Sequence, residues 1–214
     1  MPRVYEDAHV AIDMLGPLGS YENNAYIVRP HNGGPVIVVD TPEASEAVVL
    51  ALGDAEVSHI LMTHSHFDHW AGFDVLRAHT SAPVYASGEE TNLEPSRQVE
   101  PLDAGAEVPV GATVLRVIHT PGHTPGSICL LVGGALITGD TLFPGGPGRS
   151  SSPEALQQEI ESITSKLYPL SDATLVLPGH GATTTIGVSK EEYAVYASKE
   201  HDASLHGDVL WMES

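Results

Sequence analysis

The chain has 214 residues, 42% of them apolar, and a formal net charge of −19 with histidines neutral. That length suits one domain with its own core, and the charge excludes a broad surface for nucleic-acid phosphates or anionic membranes. No apolar run is long enough to cross a bilayer, the N-terminal M-P-R-V-Y-E-D lacks a basic segment leading into an apolar one, and the single Cys129 excludes an intrachain disulfide, which together point to the cytoplasm.

Residues 4–15 mix apolar and polar side chains, and Gly16-Pro17-Leu18-Gly19 reads as a break in any regular element. Residues 25–28 and 36–39 read as strands around the turn His31-Asn32-Gly33-Gly34. Thr41 and Pro42 then open a helix over residues 43–52. The apolar run 57–62 has the length of a buried strand. Residues 67–79 look helical, with Phe73, Val75 and Leu76 for the core and Asp68 near the N-terminus, where unpaired amides favour a carboxylate. Residues 83–86 are a further strand, 87–105 show no clear element, and 113–118 alternate as a strand does. Gly133-Gly134 joins strands at 127–132 and 135–138 into a hairpin. A Gly-, Pro- and Ser-rich loop, 144–152, leads to a helix over 153–167 with proline in its first turn. A strand at 175–177 and a helix over 189–202 follow, with no repeat or linker in between. This order favours sheets covered by helices in one domain over residues 1–214.

The chain has 12 histidines, and T-H-S-H-F-D-H, residues 63–69, gathers His64, His66 and His69 around Asp68. Three imidazoles and a carboxylate so close together are hard to explain as packing; a cation must hold them. In an extended segment residues i and i+2 point the same way, so His64 and His66 can grip one ion while Asp68 and His69 reach a neighbouring position. Three further motifs each set one ligand-type side chain on a glycine-containing turn after an apolar strand: His123 in T-P-G-H-T-P-G-S, Asp140 in T-G-D-T-L-F and His180 in L-P-G-H-G. Turns at strand ends are where sites are usually built. Two ions about 3.5–4 Å apart need a shared ligand, and a carboxylate such as Asp140 can bridge them. A closed structural zinc site is often cysteine-rich and tetrahedral, whereas this set has no cysteine and more donors than one tetrahedron uses. His119 is close enough in sequence to His123 to stand behind it, and Cys129 reads as a small buried hydrophobe.

Together, His64, His66, Asp68, His69, His123, Asp140 and His180 resemble the ligand set of the metallo-β-lactamase superfamily at all seven positions. Within it, G-D-T-L-F-P-G-G-P-G-R, residues 139–149, resembles the glyoxalase II group and its short relatives. The resemblance implies an α+β fold, a four-layer αββα sandwich of two mixed sheets flanked by helices, with metals at one edge between the sheets. It implies one ion on His64, His66, His123 and Asp140 and a second on Asp68, His69, His180 and Asp140. Two divalent ions are expected, zinc first, with iron or manganese acceptable to the same donors. Full-length glyoxalase II carries a helical C-terminal domain whose basic residues hold glutathione. Here little follows His180, and S-S-S-P after Arg149 lacks the tyrosine of that group.

The resemblance implies hydrolysis of a small-molecule thioester. Metal coordination brings the pKa of water from about 15.7 to near 7, so hydroxide held between the ions attacks the carbonyl, with Asp68 orienting it. A thiolate, from a thiol of pKa about 8.5, departs with little need of a general acid. Arg149 is the candidate for a substrate carboxylate, and Phe143 for the substrate pocket. The competing readings are a mononuclear iron persulfide dioxygenase and a lactonase or β-lactamase-like hydrolase. Ser150-Ser151-Ser152 speaks against the first, Phe143 where lactonases often place tyrosine against the second, and Asp140 where lactamases generally carry cysteine or serine against the third.

Overall fold

The computed structural model describes residues 3–214. The first half builds one sheet from β1 (Arg3–Glu6), β2 (Val10–Leu18), β3 (Asn23–Pro30), β4 (Val36–Val39), β5 (Val57–Leu61), β6 (Val84–Ser87) and β7 (Val99–Leu102), neighbours in that order. It is antiparallel from β1 to β4 and parallel from β4 to β7. Helix α1 (Glu46–Leu52) makes the crossover from β4 to β5 and α2 (Phe67–Trp70) with α3 (Phe73–His79) that from β5 to β6, as parallel neighbours require, while residues 88–98 join β6 to β7. The second half contributes β8 (Glu107–Val110), β9 (Thr113–His119), β10 (Ile128–Val132), β11 (Ala135–Gly139), the small hairpin β12 (Leu142–Phe143) and β13 (Gly146–Pro147), α4 (Pro153–Ser162), β14 (Leu175–Pro178), β15 (Thr184–Thr185) and α5 (Ile186–Ala197). Its sheet runs β15-β14-β11-β10-β9-β8, with β11 and β14 the parallel pair.

Strand periodicity explains the layering. Successive side chains leave a strand on opposite faces, and here both faces are covered. Val10 and Ile12 of β2, Tyr26 and Val28 of β3, and Ile37 and Val39 of β4 meet Ile128, Leu130 and Val132 of β10 and Ala135 and Ile137 of β11 in a core between the sheets. Ala25, Ile27, Val36 and Val38 point the other way, against Val48 and Leu52 of α1 and Phe73 and Leu76 of α3. Cys129, Leu131, Leu136 and Val176 leave the second sheet outward, against Leu156 of α4 and Ile186 and Tyr196 of α5. Strands buried on both faces read as unbroken apolar runs, as I-V-V and I-C-L-L-V do. Each buried Val, Leu or Ile contributes about 1.5–3 kcal/mol. The result is helix, sheet, sheet, helix, the αββα sandwich of two mixed sheets.

Several elements differ from the expectation. Gly16 and Pro17 do not end a strand: β2 runs through them, its register slipping between Leu15 and Leu18. Glycine is needed there because a Cβ on Gly16 would stand 2.0 Å from Asn24 Oδ1. The helix expected over 67–79 is two helices. Gly72 donates to the Thr41 carbonyl at 2.8 Å, and the loop carrying Thr41 and Pro42 passes so close that a Cβ on Gly72 would lie 2.1 Å from the Pro42 carbonyl. α1 begins at Glu46, later than residue 43, and α5 runs Ile186–Ala197 in place of 189–202, capped by Thr185 Oγ1 accepting from the Val188 amide. Pro153 does open its helix, behind the Ser152 cap. β7, β8 and the hairpin β12–β13 lie in stretches that showed no strand pattern.

Candidate metal centre

The ligand-type residues stand at one edge of the sandwich, where strands of both sheets end. His64 follows β5, and His66 caps α2, whose first turn carries Asp68 and His69. His123 lies between β9 and β10, Asp140 directly follows β11, and His180 follows β14. The structure brings all seven together. One nitrogen from each of His64, His66 and His123 lies within 4.8 Å of the others, and so do the atoms of Asp68, His69 and His180. Asp140 sits between the two sets. Its Oδ1 is 3.3 Å from His69 Nε2, and its Oδ2 is 3.5 Å from His180 Nε2 and 3.7 Å from His123 Nε2.

The donor atoms fit bound cations better than they fit one another. His64 Nε2, His69 Nε2 and Asp140 Oδ1 are buried without a hydrogen-bond partner. Buried polar atoms in that state are costly, and three of them facing one point are explained by a cation. Imidazole and carboxylate donors suit zinc, iron or manganese. In four of the five rings, all but His66, the opposite edge is held by the protein, which turns the other nitrogen inward to ligate. His69 Nδ1 meets Asp40 Oδ2 at 2.8 Å, His64 Nδ1 meets Thr63 Oγ1 at 3.1 Å, His123 Nδ1 meets the Arg149 carbonyl at 3.0 Å, and His180 Nδ1 meets the Tyr21 carbonyl at 2.9 Å.

Sequence reasoning missed these supporting residues. Asp40 ends β4 in V-V-D-T as Asp140 ends β11 in T-G-D-T, and that parallel was the available signal. Asn23 donates to Asp68 Oδ2 at 2.7 Å. Asn24 and Tyr26 both donate to the Pro178 carbonyl, at 3.0 and 2.6 Å, and so pin the His180 turn to the first sheet. Nothing in the local sequence marks these as site residues. His119 turns its ring to the Pro125 carbonyl and is not part of the cluster. Arg149 reaches the rim, where its side chain, 75% exposed, pairs with Asp208 at 3.4 Å. The Phe143 ring lies 6.3 Å from that of His180.

Glycines let the turns approach. A Cβ on Gly179 would lie 2.2 Å from Asp140 Oδ1 and 2.7 Å from His69 Cε1. Gly179→Ala therefore displaces ligands on both sides, and metal affinity is expected to fall by about 10–100-fold, as it does when ligand support is lost. Metal content after dialysis against a weak chelator measures this.

The two donor sets differ in charge. Burial and the neighbouring His69 hold His64 well below the usual histidine range, and burial brings His123 down to about 4. In the other set burial opposes the charge on His69, but Asp140 and Asp40 prevail and hold it well above the usual range. Burial likewise opposes the charge on His180, yet contacts with Asp140 and Asp68 lift it to about 9. Burial would raise Asp68, but His180, His69 and Asn23 bring it down to about 2. Metal binding needs neutral imidazole and releases protons. Near pH 7 His64 and His123 accordingly take a metal with little proton release. The Asp68–His69–His180 set expels about two protons and binds more tightly as pH rises. Calorimetry in buffers of different ionisation enthalpy, from pH 6 to 9, should resolve a weakly and a steeply pH-dependent ion.

The match to the family described as "Metallo-beta-lactamase superfamily" runs over residues 18–195. A hydroxyacylglutathione hydrolase of Alkalilimnicola ehrlichii is 38% identical over 164 residues, 76% of this chain, which spans 62% of that enzyme's length. Among solved structures, the BLEG-1 B3 metallo-beta-lactamase is 29% identical with a TM-score of 0.71, covering 84% of this chain and 96% of its own. A relative solved in a di-iron-bound form is 27% identical with a TM-score of 0.70, covering 83% and 96%. Two stacked mixed sheets, one edge collecting five imidazoles and two aspartates, and a match over most of the length lead to one conclusion: the chain belongs to the metallo-beta-lactamase superfamily.

Proposed function

We propose that this protein is a two-metal hydrolase of small-molecule thioesters, with zinc as the first candidate metal. One observation carries the reading: two three-donor sets flank a single carboxylate, Asp140, which lines a pocket together with His123 and His180. His64, His66 and His123 would hold one ion, Asp68, His69 and His180 the other, and Asp140 both. Bound there, the ions would supply a nucleophile from water near neutral pH and polarise the carbonyl.

The chain's own groups do the rest. Asp68, kept ionised, can accept a hydrogen bond from the attacking water and aim it. Asn23 fixes that carboxylate from behind. Water adds to the carbonyl carbon, the C–S bond breaks with its electron pair leaving on sulfur, and the products are a carboxylate and a thiol. No protein nucleophile is needed, and Cys129, buried behind the second sheet with burial raising its thiol to about 11, takes no part.

The kinship with a hydroxyacylglutathione hydrolase supports the thioester. The test sets thiol release from acyl thioesters beside oxygen uptake with a persulfide, on one zinc- or iron-loaded preparation. Thiol release abolished by chelation is expected. Oxygen uptake without thiol release would replace this reading with the dioxygenase.

A further inference from the structure

The cleft has two lobes that share Phe143, Pro144 and His180 as their common wall. The larger, about 620 Å³, is lined mainly by Met14, Pro17, Tyr21 and Ala182, and apart from the candidate ligand His180 its one acidic or basic side chain is Glu22. The smaller, about 290 Å³, holds Arg149, Asp208 and Leu210 beside the Asp140 ligand. Arg149 is the one Lys or Arg in either lining, and it is already paired with Asp208. Each lobe thus presents a carboxylate, and neither presents a Lys or Arg without an acidic partner. The larger lobe is also tied to the metal cluster, because the Tyr21 carbonyl holds His180 Nδ1.

From this lining we infer that the cleft selects thioesters without negative charge at either end: an apolar acyl group in the larger lobe and a neutral or cationic thiol in the smaller. The assignment of ends follows polarity. A chain of apolar walls desolvates a hydrocarbon acyl group favourably, and the Arg149–Asp208 pair offers hydrogen bonds to a polar but uncharged thiol. An anionic thiol such as glutathione finds Arg149 already paired with Asp208 on one side, Glu22 on the other, and the field of a chain with 28 acidic against 9 basic residues. The inference rests on the thioesterase reading and narrows it.

The test uses the metal-loaded protein and two thioesters with the same butanoyl group, one on N-acetylcysteamine and one on glutathione. The neutral ester should show the larger kcat/KM by about tenfold or more at low salt. That ratio should shrink at 1 M salt, where screening acts beyond about 3 Å. Glu22→Gln and Asp208→Asn should each lower the ratio about threefold or more. The unhydrolysable thioethers, S-butyl-N-acetylcysteamine and S-butylglutathione, should bind in the same order by calorimetry. Equal or faster cleavage of the glutathione ester, with a ratio unmoved by salt, would overturn the inference while leaving a thioesterase. Cleavage of neither ester would remove the thioesterase reading and this one with it.

Discussion

Asp140→Ala is expected to lose metal and activity together, with kcat/KM for thioester cleavage down on the order of 10³-fold or more. Each factor of ten is worth about 1.4 kcal/mol, and shared ligation of two ions would account for several kcal/mol. Asp140 is the one residue placed between both donor sets, 3.3 Å from His69 and 3.5 and 3.7 Å from His180 and His123. Without it, two cations about 3.5–4 Å apart would repel with nothing shared between them. The expected product is a folded protein that keeps at most one ion, on the His64, His66 and His123 side. Elemental analysis gives the stoichiometry, and far-ultraviolet circular dichroism checks the fold. Asp140→Asn sharpens the test, since it retains shape and one acceptor oxygen but removes the charge. Two tightly held ions in either variant would show that the carboxylate is not shared.

The clustering of the seven candidate ligands was legible because each sits in a short motif whose chemistry is local: histidine or aspartate on a turn near the end of a strand. Strands β4 and β10 were legible for the same reason, since burial on both faces leaves continuous apolar sequence. What could not be read depends on distant contacts. Asn24 holds the His180 turn from 154 residues away, and asparagine beside a strand carries no mark of that role. β7 and β8 are edge strands with a proline each, V-E-P-L and E-V-P-V, so local propensity argued against them. The break between α2 and α3 comes from a loop crossing at Gly72. Arg149 shows the reverse case: its position in the glycine loop suggested a carboxylate partner, and the structure supplies one from the chain itself, Asp208.

Asp40 gives the other large effect, through ligand support. It is 1% exposed and adopts φ of 59°, a conformation that favours glycine. Strain of this kind persists where surrounding contacts over-determine it, and here they do. Oδ1 accepts from the Thr63 amide at 2.8 Å, while Oδ2 accepts from Thr63 Oγ1 at 2.8 Å and meets His69 Nδ1 at 2.8 Å. A carboxylate can only accept, so His69 must carry a proton on Nδ1, which leaves Nε2 free for a cation in the neutral ring. Thr63 Oγ1, having donated to Asp40, accepts from His64 Nδ1 and sets that ring the same way. One aspartate thus fixes the tautomer of a ligand in each donor set. Asp40→Asn presents an amide N–H where two donors already converge. If it faces His69, that ring reverses, placing a proton on the nitrogen that should ligate. Affinity for the second ion is expected to fall by about 10–100-fold, with the first ion less affected. Asp40→Ala leaves three donors unpaired in the interior and is expected to destabilise the metal-free protein by about 3–5 kcal/mol. Stepwise metal titration and denaturant unfolding separate these effects. If Asp40→Asn still binds two ions with wild-type affinity, the tautomers of His64 and His69 are set by something other than this carboxylate.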